Sequence, residues 1–257
     1  MLIVLSPAKT LDYETPPSTR KSTQPALLAR SGELVQDARK LNPEKIGKLM
    51  GISEKLAELN HQRFMNWGEP FDLDNAKQSV LAFKGDVYTG LDADTMKAPD
   101  LNFAQKHLRI LSGLYGILRP LDLMQPYRLE MGLKFANSGG KNLYEFWGDD
   151  ITQVLNAQLK ALKSDVLLNL ASNEYFKAVQ VKALNAEIIT PVFKDLKNGK
   201  YKVISFFAKK ARGQMARYII DKRLEDVADI KKFRGGGYRY NKAESTAREW
   251  VFTRDAS

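Results

Sequence analysis

No cysteine occurs among the 257 residues, and histidine occurs only at His61 and His107. The chain therefore has no disulfide framework, no thiolate metal site, no thiol nucleophile and no thiol sensor of oxidants. Two widely separated histidines also argue against a histidine-rich metal centre, so no metal site and no cofactor is expected. No apolar run approaches the roughly 20 residues of a membrane span. The start, Met1-Leu-Ile-Val-Leu-Ser6, is apolar but short and lacks a basic flank, so it reads as a first strand rather than a signal peptide. A cytoplasmic protein is expected. The glycine-rich phosphate loops G-x-x-x-x-G-K-[ST] and G-x-G-x-x-G after a strand are missing, as is H-E-x-x-H.

What the chain does have is core-forming material and positive charge. Hydrophobic residues make up 44% and aromatics 10%, enough to exclude wholesale disorder. Lysine and arginine number 40 against 30 acids, a net charge of +10. Residues 194–257 hold 17 of those bases and 8 acids, so they carry +9 of the excess. Between Lys194 and Arg223 the only acids are Asp195 and Asp221. The bases alternate with Tyr201, Phe206, Phe207 and Tyr218 rather than forming a tail. Folded, such a segment fixes cations on a face, the footprint of a surface for phosphates or another polyanion.

Patterning predicts a mixed α+β fold. Leu2–Leu5 and Val166–Leu170 read as buried strands, and Val80–Phe83 as a third. Helical spacing covers Ala26–Lys40, and Asn42-Pro43 predicts a capped helix start. A further helix runs from Ser53 to about Asn66. Asp100–Leu108 is expected as helix, Arg109–Leu111 as extended, and Leu114–Leu121 as irregular. Leu143–Leu162 reads as one long helix, and Ser172 opens a short one. Asn198-Gly199 between Glu187–Lys197 and Lys200–Phe207 is a strong hairpin signal. Lys209–Arg223 is expected as helix, 234–237 as a turn and Glu249–Thr253 as a last strand. The expectation is a single compact mixed-sheet domain over residues 1–257, with a small helical insertion.

The most specific local pattern is Ile46-Gly-Lys48-Leu-Met-Gly51-Ile52-Ser53-Glu-Lys55-Leu-Ala57, which resembles a helix-hairpin-helix motif at about residues 43–66. Gly51, Ile52 and Ser53 would form the hairpin, with Ser53 in place of the usual second glycine and Ala57 at the close-packing position. Such a hairpin aims backbone N–H groups and a positive dipole end at a phosphate, with Lys48 and Lys55 flanking it. The densest basic stretch, Ala208-Lys-Lys-Ala-Arg-Gly213-Gln-Met-Ala-Arg217, falls at the start of a helix, where Lys209, Lys210 and Arg212 would be relieved by an anion. Ser6-Pro-Ala-Lys9 fits the S-x-x-K pattern of some acyl enzymes, but the S-D-N and K-T-G partners of that class are missing. Glu58-Leu-Asn-His61 gives the spacing of a bundle-type iron ligand pair once, where a site needs two, so direct iron binding is not expected.

Several long strings resemble signatures of the YaaA family in the same order. They are Leu5–Leu11, Phe83–Leu91, Leu111–Asp122, Pro126–Gly132, Leu143–Gly148 and Phe207–Gly213. The resemblance implies a bacterial peroxide-stress protein linked to limiting free iron, and hence to limiting iron-dependent DNA damage. It also implies an α+β fold that binds DNA through a basic cleft and a helix-hairpin-helix element. Carried onto this chain, the cleft would include Lys9, Lys84, Arg128, Lys209, Lys210 and Arg212, with Arg217 closing the same basic stretch. No established enzymatic activity comes with the resemblance.

Two functions follow as expectations. The first is a DNA-binding protective protein that grips backbone without reading sequence, its partner duplex or structured DNA. The second is an enzyme acting on a nucleotide or nucleic acid, using Lys9, Asp86, Arg128, Glu130 and Lys209 if those side chains converge in one pocket. The sequence points to no stable protein partner.

Overall fold

The computed structural model describes residues 1–255. The chain begins with β1 (Leu2–Leu5) and the short β2 (Thr10–Leu11), then the helices α1 (Leu28–Arg39), α2 (Pro43–Met50) and α3 (Glu54–Asn66). A compressed run follows: β3 (Lys77–Gln78), α4 (Ser79–Ala82), β4 (Phe83–Lys84), α5 (Asp86–Leu91) and α6 (Ala98–His107). Next come β5 (Leu108–Ser112), β6 (Gly116–Leu118), β7 (Leu123–Met124), α7 (Leu143–Trp147), α8 (Asp150–Leu162) and β8 (Val166–Leu170). The last quarter supplies α9 (Asn173–Phe176), β9 (Glu187–Lys197), β10 (Lys200–Lys202), α10 (Ser205–Lys222), β11 (Arg239–Tyr240) and β12 (Glu249–Arg254).

The main sheet runs β11-β12-β9-β8-β1-β5-β6, with β10 added to β9. From β5 through β12 the neighbouring strands are parallel. The antiparallel strands β6, β10 and β11 each pair with β5, β9 or β12 at its margins. This makes the fold α+β with a mixed sheet. A parallel strand needs both faces covered, which explains why β1 is an unbroken Leu-Ile-Val-Leu run with every residue fully buried. From β1 the chain moves to one side, to β5, while β8 leads to the other side, to β9. The carboxyl ends of β1 and β8 therefore sit side by side with their connections diverging. In open parallel sheets that crevice is where ligands bind.

Two glycines decide how the last helix meets the rest. A Cβ on Gly213 of α10 would overlap the Val87 carbonyl oxygen and lie 2.8 Å from the Leu91 nitrogen. A Cβ on Gly90 of α5 would overlap the Lys210 carbonyl oxygen and lie 2.9 Å from the Gln214 nitrogen. The backbones of α5 and α10 thus touch directly, each through the other's missing side chain. This crossing carries the basic stretch of α10 to the carboxyl end of the sheet.

Most elements fall where patterning places them, and the exceptions have physical causes. Of Val80–Phe83 only Phe83 is in a strand, where it opens β4. Ser79–Ala82 form one helical turn, fully buried, and a short apolar run cannot distinguish the two. The expected helix Leu143–Leu162 is two helices, because Gly148 (φ 44°, ψ −116°) takes a conformation closed to other residues. Within Leu114–Leu121, residues Gly116–Leu118 pair with β5 as a strand. The hairpin at Asn198-Gly199 is present, but β10 stops at Lys202 and α10 begins at Ser205, four residues before the expected start. Among the described residues no helix is long and apolar enough to cross a membrane.

Candidate functional site

At the divergence of β1 and β8 lies a cavity of about 490 Å³. Its walls come from the loop after β1 (Ser6–Thr10), from Lys84–Val87, from Ser172–Tyr175 and from α10. Ser6 holds the two strand ends together, accepting the Ser172 N–H at 2.8 Å and donating to the Ser172 hydroxyl at 3.3 Å. Tyr88 donates to the Ser6 carbonyl at 3.1 Å from below. Tyr88, Tyr127 and Tyr175 are buried here, and desolvation pushes all three phenols above their ordinary pKa, so they stay neutral.

Of the residues singled out in the sequence, Lys9, Lys84, Lys209 and Arg212 line this cavity together with Asp86, Glu130 and Glu174. These seven residues come from five separate segments. Arg128 lies next door, in a small recess that shares Lys9, Glu130 and Tyr175 with the cavity wall. Glu130 is buried, and its Oε1 takes both the Lys9 ammonium at 3.1 Å and the Arg128 Nε at 3.1 Å. Its Oε2 is buried without a hydrogen-bond partner. Lys84 is held by Asp94 at 2.7 Å and Asp12 at 3.6 Å, and the Asp94 hydrogen bond raises its pKa. Ser6 is occupied by Ser172 and Lys9 by Glu130, an arrangement that does not favour a serine–lysine nucleophile.

Arg212 is unpaired and half-enclosed among these charges. It is half-buried in the cavity wall, burial alone lowers its pKa, and no carboxylate offsets the loss. Lys209 is exposed one helical turn before Gly213. Neither has an ion-pair partner within 4 Å among the described residues. Lys194, Arg217, Arg223, Lys232 and Arg254 from the same basic quarter are each paired with a carboxylate, while Lys197, Lys200, Lys202 and Lys210 are exposed like Lys209. Arg217 lies outside the cavity lining. It binds Asp221 at 2.8 Å, the Asp92 carbonyl and Thr95 Oγ1 both at 2.7 Å, tying α10 to the end of α5. Lys210 is exposed and also outside the lining.

The corner between α2 and α3 has its own geometry. Asn42 accepts the Lys45 N–H at 2.9 Å, and Pro43 opens α2. Gly51 ends it at φ 61°, the left-handed conformation that favours glycine. Ala57 is buried against Gly47, whose position would put a Cβ 3.5 Å from that of Ala57. Ser53 precedes α3 with its side chain making no cap hydrogen bond, which leaves its hydroxyl free. Lys48 is paired with Glu44 at 2.6 Å. Lys48 and Lys55 share the adjoining groove with Glu44, Glu54 and Glu58.

Sequence reasoning passed over Arg63, in the last turn of α3. It is half-buried, and burial lowers its pKa. It lines a second groove with Thr10, Asp12 and Lys84, and Thr10 and Lys84 also belong to the first cavity. The two depressions therefore form one track from α10 to α3. No sequence signal marked Arg63, which sits in an ordinary polar helix face.

The family profile described as peroxide stress protein YaaA matches residues 1–244. A UPF0246 protein of Cellvibrio japonicus is 62% identical over 255 residues, covering 99% of both chains. One of Colwellia psychrerythraea is 60% identical over 257 residues, covering each chain completely. One of Teredinibacter turnerae is 59% identical over 254 residues, covering 99% of both. With a profile match and relatives that run the length of the chain, this protein belongs to the peroxide stress protein YaaA family.

Proposed function

We propose that the protein binds DNA, gripping backbone phosphates without reading sequence, and so shields DNA during peroxide stress, iron-dependent damage included. The observation that supports this best is the unpaired pair Arg212 and Lys209 on a cavity they share with Lys9 and Lys84. A half-buried guanidinium without a counterion is costly, and an anionic ligand relieves that cost. The groove past Lys84 adds one further cation, Arg63, which shares it with Asp12 and Glu14. The α2–α3 corner fits a helix-hairpin-helix contact made by the backbone N–H groups opening α3 and the free Ser53 hydroxyl. Lys48 adds little there, since Glu44 already neutralises it.

Fluorescence anisotropy with labelled duplex, single-stranded and bubble-containing DNA, over a range of salt concentrations, tests this. Log K is expected to fall with log salt by about 0.9 for each neutralised phosphate of duplex DNA. Replacing Lys209, Lys210 and Arg212 together by alanine should abolish most of the binding. Salt-independent binding, or binding undiminished in the triple variant, would refute the proposal.

One observation favours a second reading, an enzyme acting on a nucleotide or nucleic acid. Lys9, Asp86, Glu130 and Lys209 converge on the same cavity, with Arg128 beside it. Turnover of DNA or nucleotides that is lost in Asp86→Asn would support it, and the absence of any product would dismiss it.

A further inference from the structure

The cavity carries too many acids for a surface that meets phosphates alone. Besides its four cations its walls present Asp86, Glu130 and Glu174. A phosphodiester has no donor to offer a carboxylate, and the two repel. Part of this charge cancels internally, because Glu130 is held by Lys9 and Arg128, and Lys84 by Asp94 and Asp12. Asp86 makes no ion pair within 4 Å among the described residues. Glu174 spends Oε1 on the Gly132 N–H at 2.9 Å and has accepting capacity left. What remains is two free cations, Lys209 and Arg212, and two carboxylates able to accept, all on one cavity. A ligand that satisfies both must be anionic at one end and rich in N–H donors at the other.

We propose that the cavity is a site for one nucleoside monophosphate unit, its phosphate on Arg212 and Lys209 and the N–H edge of its base on Asp86 and Glu174. Guanine fits this edge best. Its N1–H and N2–H stand side by side and match one carboxylate, as Watson–Crick edges are read in pockets that hold a single base. Thymine offers one N–H flanked by two carbonyl oxygens, which a carboxylate disfavours. A volume of about 490 Å³ suits a ligand of this size, within the roughly 300–1,000 Å³ of small-molecule sites. Pro7, Ala8, Leu170 and Tyr175 provide the apolar part of the wall. The unit is either a free nucleotide or a nucleotide extruded from a DNA strand, and both present the same chemistry. The inference deepens the reading above and rests on the cavity being an anion site.

Calorimetric titration of the full chain with dGMP, dTMP and inorganic phosphate tests it. The expected result is dGMP binding at least tenfold tighter than dTMP and inorganic phosphate. Arg212→Gln should weaken dGMP and phosphate together by roughly tenfold or more, the scale of a lost charged hydrogen bond. Lys209→Gln, on an exposed residue, carries the same test if the Arg212 variant does not fold. Asp86→Asn should erase the preference for dGMP over dTMP while phosphate binding persists. dGMP binding no tighter than phosphate, or unchanged in both Lys209→Gln and Asp86→Asn, overturns the inference. Displacement of bubble DNA by dGMP identifies a strand nucleotide as the occupant, and dGMP binding without displacement identifies the free nucleotide. Salt-sensitive duplex binding without any dGMP binding refutes this site and leaves DNA binding standing. dGMP binding without DNA binding does the reverse.

Discussion

Replacing Gly213 by alanine tests the helix crossing that carries Lys209 and Arg212 to the cavity. Gly213 sits inside the 18-residue α10, where alanine is intrinsically favoured over glycine by about 1 kcal/mol. The new Cβ, however, would overlap the Val87 carbonyl and stand 2.8 Å from the Leu91 nitrogen. Both obstacles are backbone, so no side chain can swing aside and the two helices must part. Overpacking of this kind costs about 1–3 kcal/mol and sometimes more. Since the parting also opens contacts along the whole crossing, the upper end applies and the net loss is about 2 kcal/mol. The control is Gly47→Ala in α2, where the new Cβ would find only ordinary contacts at 3.5 Å. There the propensity gain of about 0.5–1 kcal/mol should survive. One chemical change thus has opposite signs at two helical sites. Urea titration at constant m-value reads this as opposite shifts in midpoint. Thermal melts should show Gly213→Ala lower by roughly 4–8 °C. A Gly213→Ala variant as stable as the parent would refute the crossing, and DNA binding that drops with it would link the crossing to function.

Other predictions concern acid, neutral pH and a break in a helix. Asp12 is held at a pKa of about 2, chiefly by the Thr15 backbone N–H, with Lys77 also contributing. Its stabilisation is complete above an unfolded value of about 3.9 and is lost as pH falls toward the folded value. Asp12→Asn should flatten that part of an acid titration followed by circular dichroism. His107 is buried with Nδ1 3.0 Å from the Met1 carbonyl oxygen, and desolvation lowers its pKa. Below about pH 6.5 the unfolded chain takes up a proton that the folded ring resists, so stability falls. His107→Gln should remove that slope from urea midpoints measured between about pH 7.5 and 5.5. Gly148→Ala, at φ 44°, should cost about 1–3 kcal/mol in urea unfolding although no atom crowds the site. Lys48→Ala should leave DNA affinity nearly unchanged, because Glu44 already holds that ammonium.

The strands β1 and β8 were legible because a parallel strand covered on both faces must be a continuous apolar run. Asn42-Pro43 and Asn198-Gly199 announced their turns because cap and hairpin geometries demand those residue types. The split at Gly148 was hidden, since the helical period resumes on the same face after it. Lys9, Lys84, Lys209 and Arg212 could be named from strings in the sequence, but their meeting depends on sheet order, which local patterning does not encode. The division between paired and free cations was also invisible. Arg217 and Arg212 belong to one basic stretch, yet one straps two helices together and the other faces a cavity.

That division changes how the charge of +10 should be felt by a polyanion. Lys9 carries Glu130, and Lys84 carries Asp94, as counterions covalently fixed to the same molecule. A small ion released from DNA gains freedom in solution, but these carboxylates cannot leave. The salt slope at the cavity should therefore register Lys209, Arg212 and the few other unpaired cations that reach phosphate, and fall far below the tally of basic residues. DNA held in this way would be comparatively tolerant of changes in ionic strength.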